Sequence, residues 1–253
     1  MAGHSKWSKV KRFKGTLDAK RGKLFSKLAK EILVSARMGG GDPDLNPRLR
    51  SAVLAARAQN MPNDTIERAI KKGTGEISGG IVEELVYEGY GPEGVALIVE
   101  AATDNKNRTA ADIRSIFSKN HGHLAASGAV SYMFKRRGQL TVLGSAVQED
   151  QLLEIVLDAG AEDLTTDEDL YVVTTPHDRL YQVGEAIRKQ GINIETQKLT
   201  FVPDNAIAIT NETTATQVLR LYDALDDNDD VQNVYGNFDI SDELLTKLSN
   251  HSG

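Results

Sequence analysis

An α+β multidomain fold is predicted for this chain of 253 residues: a small helical N-terminal domain followed by two ferredoxin-like α+β domains, the third domain inserted in the second. Three observations predict it. Charge divides the chain, because residues 1–75 carry 17 Lys and Arg against 6 Asp and Glu, a net +11, whereas residues 76–253 carry 13 against 30, a net −17. Apolar spacing in the basic third is helical, while strand-like and helical runs alternate beyond it. Finally, a β-α-β-β-α-β series over 139–200 interrupts a β-β-α-β segment and the β-α-β segment that completes it.

The first 15 residues hold Lys6, Lys9, Lys11, Arg12 and Lys14 around Trp7 and Phe13 with no acidic residue, too little apolar content for a packed element, so a basic arm is expected there. A helix is expected from about Asp18, with Leu24, Leu28 and Ile32 at i, i+4 and i+8, and Gly39, Gly40 and Gly41 end it. The second helix starts at Asn46-Pro47, an N-cap residue followed by proline in the first turn, and stops before Met61-Pro62. The third begins at Asn63 or Asp64, where Asp64 and Glu67 have capping-box spacing, and closes at Lys71-Lys72-Gly73.

In the acidic part, strands are expected over 81–88 and 95–102, joined by a Gly-rich turn, then a helix over 109–119 and a strand over 129–134. The inserted series places strands at 139–143, 163–166, 170–174 and 192–196, with helices at 148–159 and 178–189 ending at Gly160 and Gly191. A strand at 206–210, a helix carrying Ala215, Val218, Tyr222 and Leu225, and a strand at 231–235 follow. The expected domains are therefore 1–76 (basic and helical, with its arm), 77–136 with 203–240 (discontinuous α+β), 137–202 (the insertion), and a tail at 241–253.

Composition narrows the chemistry. There is no cysteine, which excludes disulfides, thiolate nucleophiles and Cys-ligated metals. No apolar run reaches the roughly 18–20 residues of a membrane span, and the N-terminus turns basic without a signal-peptide core, so a cytoplasmic location is expected. Gly89-x-Gly91-x-x-Gly94 matches the dinucleotide fingerprint literally, but a strand rather than a helix follows and Pro92 removes a donor, so a hairpin turn is expected. The run 226–230 begins like a calcium loop, yet Val231 and Asn237 stand where Gly and Glu are needed, and a solvated helix end is the expectation. His121 and His123 lack companions at metal spacing, and no carboxylate pair has a catalytic partner. Neither an enzyme nor a cofactor is indicated.

The cationic third suits a polyanion, and nucleic acid is the expected one. The candidate contacts are Lys6, Trp7, Lys9, Lys11, Arg12, Lys14, Lys20, Arg21, Lys23 and Lys27: cations for phosphates, an indole for stacking on a base. The alternative is intramolecular, with the basic part docked on the acidic part.

Several ordered motifs carry a resemblance. Met1-Ala-Gly-His-Ser-Lys-Trp7, Asp18-Ala-Lys-Arg-Gly-Lys23, Gly39-Gly-Gly-Asp-Pro43, Asn46-Pro-Arg-Leu-Arg50, Tyr87-Glu-Gly-Tyr-Gly-Pro92, Asp104-Asn-Lys-Asn-Arg-Thr109 and Asp229-Asp-Val-Gln-Asn-Val-Tyr235 together resemble the YebC family nearly end to end. The resemblance implies a helical domain and two α+β domains, the last inserted. It also implies a cytoplasmic, DNA-binding transcriptional regulator, with a ribosome-associated translation factor that binds ribosomal or transfer RNA as the alternative. A protein-interaction scaffold is the second alternative. Residues 10–17 depart from the family's usual continuation but keep its charge. No membrane partner is expected, and a monomer is favoured over an oligomer.

Overall fold

The structure, a computed structural model, describes residues 17–251 apart from Glu168, without the side chains of residues 17–20 and 249–251. Two compact units divide the described residues: residues 17–134 with 203–251, and residues 135–202. The first contains two apolar clusters and the second one.

In the first unit, α1 (Leu17–Gly39) lies against both α2 (Pro47–Ala58) and α3 (Asn63–Thr74). Ile32, Ala36, Leu49, Val53, Ala56, Met61, Ile66 and Ala69 form one buried cluster with Leu28 packed against it, as the spacing predicted. Leu24, expected at the head of the stripe on α1, is instead exposed because it lies a turn beyond the reach of α2 and α3. Gly40, at φ 88°, ends α1. Asn46 is buried and holds two ends at once: its Oδ1 accepts from Leu49 N at 3.1 Å to cap α2, and its Nδ2 donates to Ser35 O and Gly40 O at 2.8 and 2.9 Å. The expected capping box at Asp64 is not formed. Pro62 precedes α3 without any side-chain cap bond, and Gly75 at φ 82° closes it. Gly73 is where α3 crosses α1: a Cβ there would stand 2.4 Å from Leu33 O.

The α+β part of the same unit is a four-stranded antiparallel sheet in the order β3-β1-β2-β9, built from β1 (Glu83–Tyr90), β2 (Ala96–Thr103), β3 (His123–Leu124) and β9 (Val231–Gly236). The turn between β1 and β2 is a hairpin tightened by a 3-10 turn (Pro92–Gly94), so the Gly-x-Gly-x-x-Gly run meets no α-helix N-terminus. Helix α4 (Lys106–Lys119) and α7 (Glu212–Asp226) supply Ile113, Phe117, Val218 and Tyr222 to a core with Leu97, Val99 and Val234. The strand expected at 206–210 forms β8 (Ile207–Ile209), but it pairs in parallel with β10 (Phe238–Ile240) instead of joining the main sheet. Asn237 turns the chain there: its Oδ1 accepts from Ala96 N at 2.7 Å and its carbonyl from Ile207 N at 2.6 Å.

Two further expectations change. The strand expected at 129–134 is a loop and a 3-10 turn (Ser131–Met133), because the buried Glu88 carboxylate takes the amide hydrogens of Gly128, Val130 and Ser131 at 2.7–2.9 Å. The residues after 240, expected as a tail, form α8 (Asp242–His251), which buries Leu245 and Leu248 on the core.

The second unit is β4 (Phe134–Leu143), α5 (Glu149–Asp158), β5 (Asp163–Asp167), β6 (Leu170–Pro176), α6 (Leu180–Lys189) and β7 (Thr196–Pro203). Its sheet order is β5-β6-β4-β7, the split β-α-β arrangement predicted, over a core of Leu140, Val142, Leu152, Val156, Val173, Val183 and Ile187. Its last strand begins at Thr196 rather than 192, since Ile192 is used as core beneath the connection.

Candidate nucleic-acid interface

The candidate cations fall into two groups. Lys6, Trp7, Lys9, Lys11, Arg12 and Lys14 lie outside the described residues, and of Lys20 only the helical backbone is described. Arg21, Lys23 and Lys27 follow on α1, and the helical repeat carries the last two, together with Lys30, onto the side opposite Ile32 and Ala36.

That lysine row meets the run at 226–230, which closes α7 with Asp227 and Asp229 exposed, as expected, but is not left to solvent alone. Lys23 Nζ donates to Asp227 O at 2.9 Å, and Lys27 Nζ to both Asp226 O and Asp226 Oδ1 at 2.9 Å. Lys30 Nζ donates to Asp229 O at 2.7 Å and to Asp230 Oδ1 at 2.9 Å. The intramolecular docking weighed from the charge partition is therefore present for these three lysines. Two of the accepting carbonyls, those of Asp226 and Asp227, stand at the C-terminal end of α7, where the helix dipole adds negative potential.

Asp230 is the fixed point of this contact. Its side chain is 9% exposed, and its Oδ2 accepts from Arg108 Nη2 at 2.9 Å, Thr109 Oγ1 at 2.7 Å and Thr103 Oγ1 at 3.3 Å. Burial by itself would raise its pKa. The hydrogen bonds from Lys30, Arg108 and Thr109 outweigh that and hold the carboxyl well below the usual range. The motif at 104–109 is thus architectural: Asn105 caps α4 by accepting from Arg108 N at 3.1 Å, which sets Arg108 and Thr109 on Asp230. In the motif at 229–235, Asn233 Nδ2 and Tyr235 OH both donate to Glu100 Oε2 at 3.0 Å.

A second ion cluster uses the motif at 46–50. Arg48 reaches Glu31 through Nε and Nη2 at 2.8 and 3.0 Å, and Glu84 through Nη2 and Nη1 at 2.6 and 3.2 Å. Burial would lower the pKa of Arg48, but Glu84 and Glu31 overcome this and raise it. Sequence reading missed Asp230, Arg108 and Arg48. The signal available was the i, i+4, i+7 lysine spacing beside an acidic run of similar length.

The cations facing outward are others. Arg21 is exposed with its guanidinium 5.4 Å from the Phe25 ring. Arg57 on α2 and Arg68, Lys71 and Lys72 on α3 are exposed, with no acidic partner among the described residues. No group of three or more His, Asp or Glu among the described residues is placed to hold a metal ion, and no described helix is long and apolar enough to cross a membrane.

Comparison with known proteins agrees with this layout of a basic helical domain ahead of acidic α+β domains. Residues 5–76 match the family model described as TACO1/YebC protein N-terminal domain, and residues 82–238 match the one described as TACO1/YebC second and third domain. A relative from Syntrophobacter fumaroxidans, named "Probable transcriptional regulatory protein", is 52% identical over 98% of this chain and 100% of its own length. One of the same name from Persephonella marina is 51% identical over 98% and 100%. Among solved structures, a conserved hypothetical protein from Aquifex aeolicus superposes with a TM-score of 0.82 at 48% identity, covering 90% of this chain and 93% of that one. With both family models matched in order across almost the whole chain, and the same folded layout in a solved relative, this chain belongs to the TACO1/YebC family.

Proposed function

We propose that this protein is a nucleic-acid-binding regulator of gene expression, acting on DNA as a transcriptional regulator through its helical domain and basic arm. The observation that carries the reading is the charge partition, +11 over residues 1–75 against −17 over the rest. The names of its relatives, which are those of regulators and not of enzymes, support it. Phosphates neutralised by Lys and Arg release counterions, while the acidic domains repel the same polyanion and orient the basic end toward it.

Arg21, Arg57, Arg68, Lys71 and Lys72 are open to such contacts, and Lys6, Lys9, Lys11, Arg12 and Lys14 of the basic arm expected from the sequence add positive charge. Trp7 adds a ring for stacking on a base. Titrating the full chain with duplex DNA across a salt series tests the reading. If about five to eight phosphates are neutralised, the log–log slope is about −4 to −7. A slope near zero refutes it. Sequencing the nucleic acid that copurifies with the protein identifies the target: a defined promoter set fits transcription, and ribosomal or transfer RNA would move the assignment to translation.

A further inference from the structure

Building on the nucleic-acid reading above, we infer that the acidic loop at 226–230 is an internal competitor for phosphate, which keeps the lysine face of α1 covered until a polyanion displaces it. The loop offers Lys23, Lys27 and Lys30 a row of oxygens at 2.7–2.9 Å, carboxylate and carbonyl together. A phosphodiester backbone presents the same chemistry to an ammonium group: closely spaced oxygens carrying negative charge.

The contact is built to be exchangeable. The core of the helical domain and that of the α+β body are separate apolar clusters, and the bonds that join them here are polar. Beside the lysine row these are Arg48 on Glu84 and Arg37 Nη1 on Val82 O at 3.1 Å. The row is also graded. At its outer end Lys23 and Asp227 are 47% and 59% exposed, so their attraction is weak and salt-screened. At its inner end the Asp230 carboxylate is 9% exposed and held by three other donors. Displacement therefore starts at Lys23, the end nearest in sequence to the basic arm, and runs inward to a fixed stop at Asp230. Nucleic acid caught by the arm reaches the most exchangeable lysine first.

The experiment uses the full chain and a fluorescein-labelled single-stranded RNA of about 20 nucleotides, read by anisotropy at low salt. The triple variant D226N/D227N/D229N removes the exchangeable carboxylates and leaves Asp230 in place. The control D150N/E154Q/D158N changes net charge equally on the exposed face of α5. The two ion pairs released from competition, Lys23–Asp227 and Lys27–Asp226, correspond to about three- to fivefold tighter binding by the loop variant, against less than about twofold for the control. Equal tightening by both variants, no change, or weaker binding by the loop variant overturns the inference. In the wild-type chain, saturating RNA also raises amide exchange at 227–230, where Asp227 N is bonded to Asp223 O and Asp230 N to Asn228 Oδ1. Unchanged protection overturns the inference without relying on any variant. If neither wild type nor loop variant binds RNA or DNA, the proposed function falls and the inference with it. If wild type binds and the loop variant gains nothing, the inference alone falls.

Discussion

Replacing Asp230 by Asn removes one charge at the junction of α1, α4 and the 226–230 loop while keeping the side chain's shape. The carboxylate is 9% exposed and accepts from Lys30 Nζ, Arg108 Nη2, Thr109 Oγ1 and Thr103 Oγ1. Breaking a buried ion pair by losing one member costs about 3–5 kcal/mol. Lys30 and Arg108 remain 25% and 49% exposed, so both regain water and the loss is smaller, about 2–3 kcal/mol. For a chain of this size that is a fall in Tm of roughly 5–10 °C. Thr109 is fully buried, and Thr109→Val removes the shortest of the four donors at about 1–3 kcal/mol.

Both substitutions act on the same bond, which Thr109→Val deletes and Asp230→Asn strips of its charge, so the double variant loses less than the two single losses added, by about 1 kcal/mol. Urea denaturation followed by circular dichroism, on wild type, both singles and the double, measures all of this. The pH dependence has a definite sign. The folded carboxyl titrates below its unfolded value of about 3.9, so its contribution is complete above that value and disappears as pH falls through and below it. Wild type and Asp230→Asn therefore differ fully at neutral pH and converge in acid. A loss under about 0.5 kcal/mol, or strict additivity with Thr109→Val, refutes the assignment of Asp230 as the fixed point.

Three further outcomes are expected. Gly73→Ala places a Cβ 2.4 Å from Leu33 O and 2.8 Å from Ala36 Cβ, so α3 must move off α1 and stability falls by about 1–3 kcal/mol; a melting temperature within about 1 °C of wild type contradicts that close approach. Glu88→Gln turns one of two accepting oxygens into a donor facing the amides of Gly128, Val130 and Ser131, and hydrogen exchange over 128–131 rises while β2 stays protected. Trp7 is the sole tryptophan, so its fluorescence reports the arm alone: saturating nucleic acid shifts or quenches its emission, and an unmoved spectrum removes it from the stacking role.

Much of the architecture is a local matter and could be read along the chain. Asn46-Pro47 announces a helix start because the side chain caps and the ring presets φ, and Gly40 announces a stop because left-handed backbone favours glycine. The inserted domain was legible for the same reason, each helix having its own apolar stripe and each its own glycine end. The charge division too is a sum over sequence and needs no coordinates. What these cues miss is long-range pairing. The strand at 207–209 looks like any other, and only Asn237, bonded to both Ala96 and Ile207, sends it to β10. Residues 129–134 have strand composition, yet Glu88, some forty positions away, takes the amides that a strand would need.

The candidate interface divides in the same way. Composition determined that the basic third is suited to a polyanion, because net charge is independent of how the chain folds. Which lysines are open to one was decided by tertiary structure alone. Lys23, Lys27 and Lys30 lie about 200 residues from the oxygens that hold them, and electrostatic attraction acts on distance in space, which the fold sets and the order of residues along the chain does not.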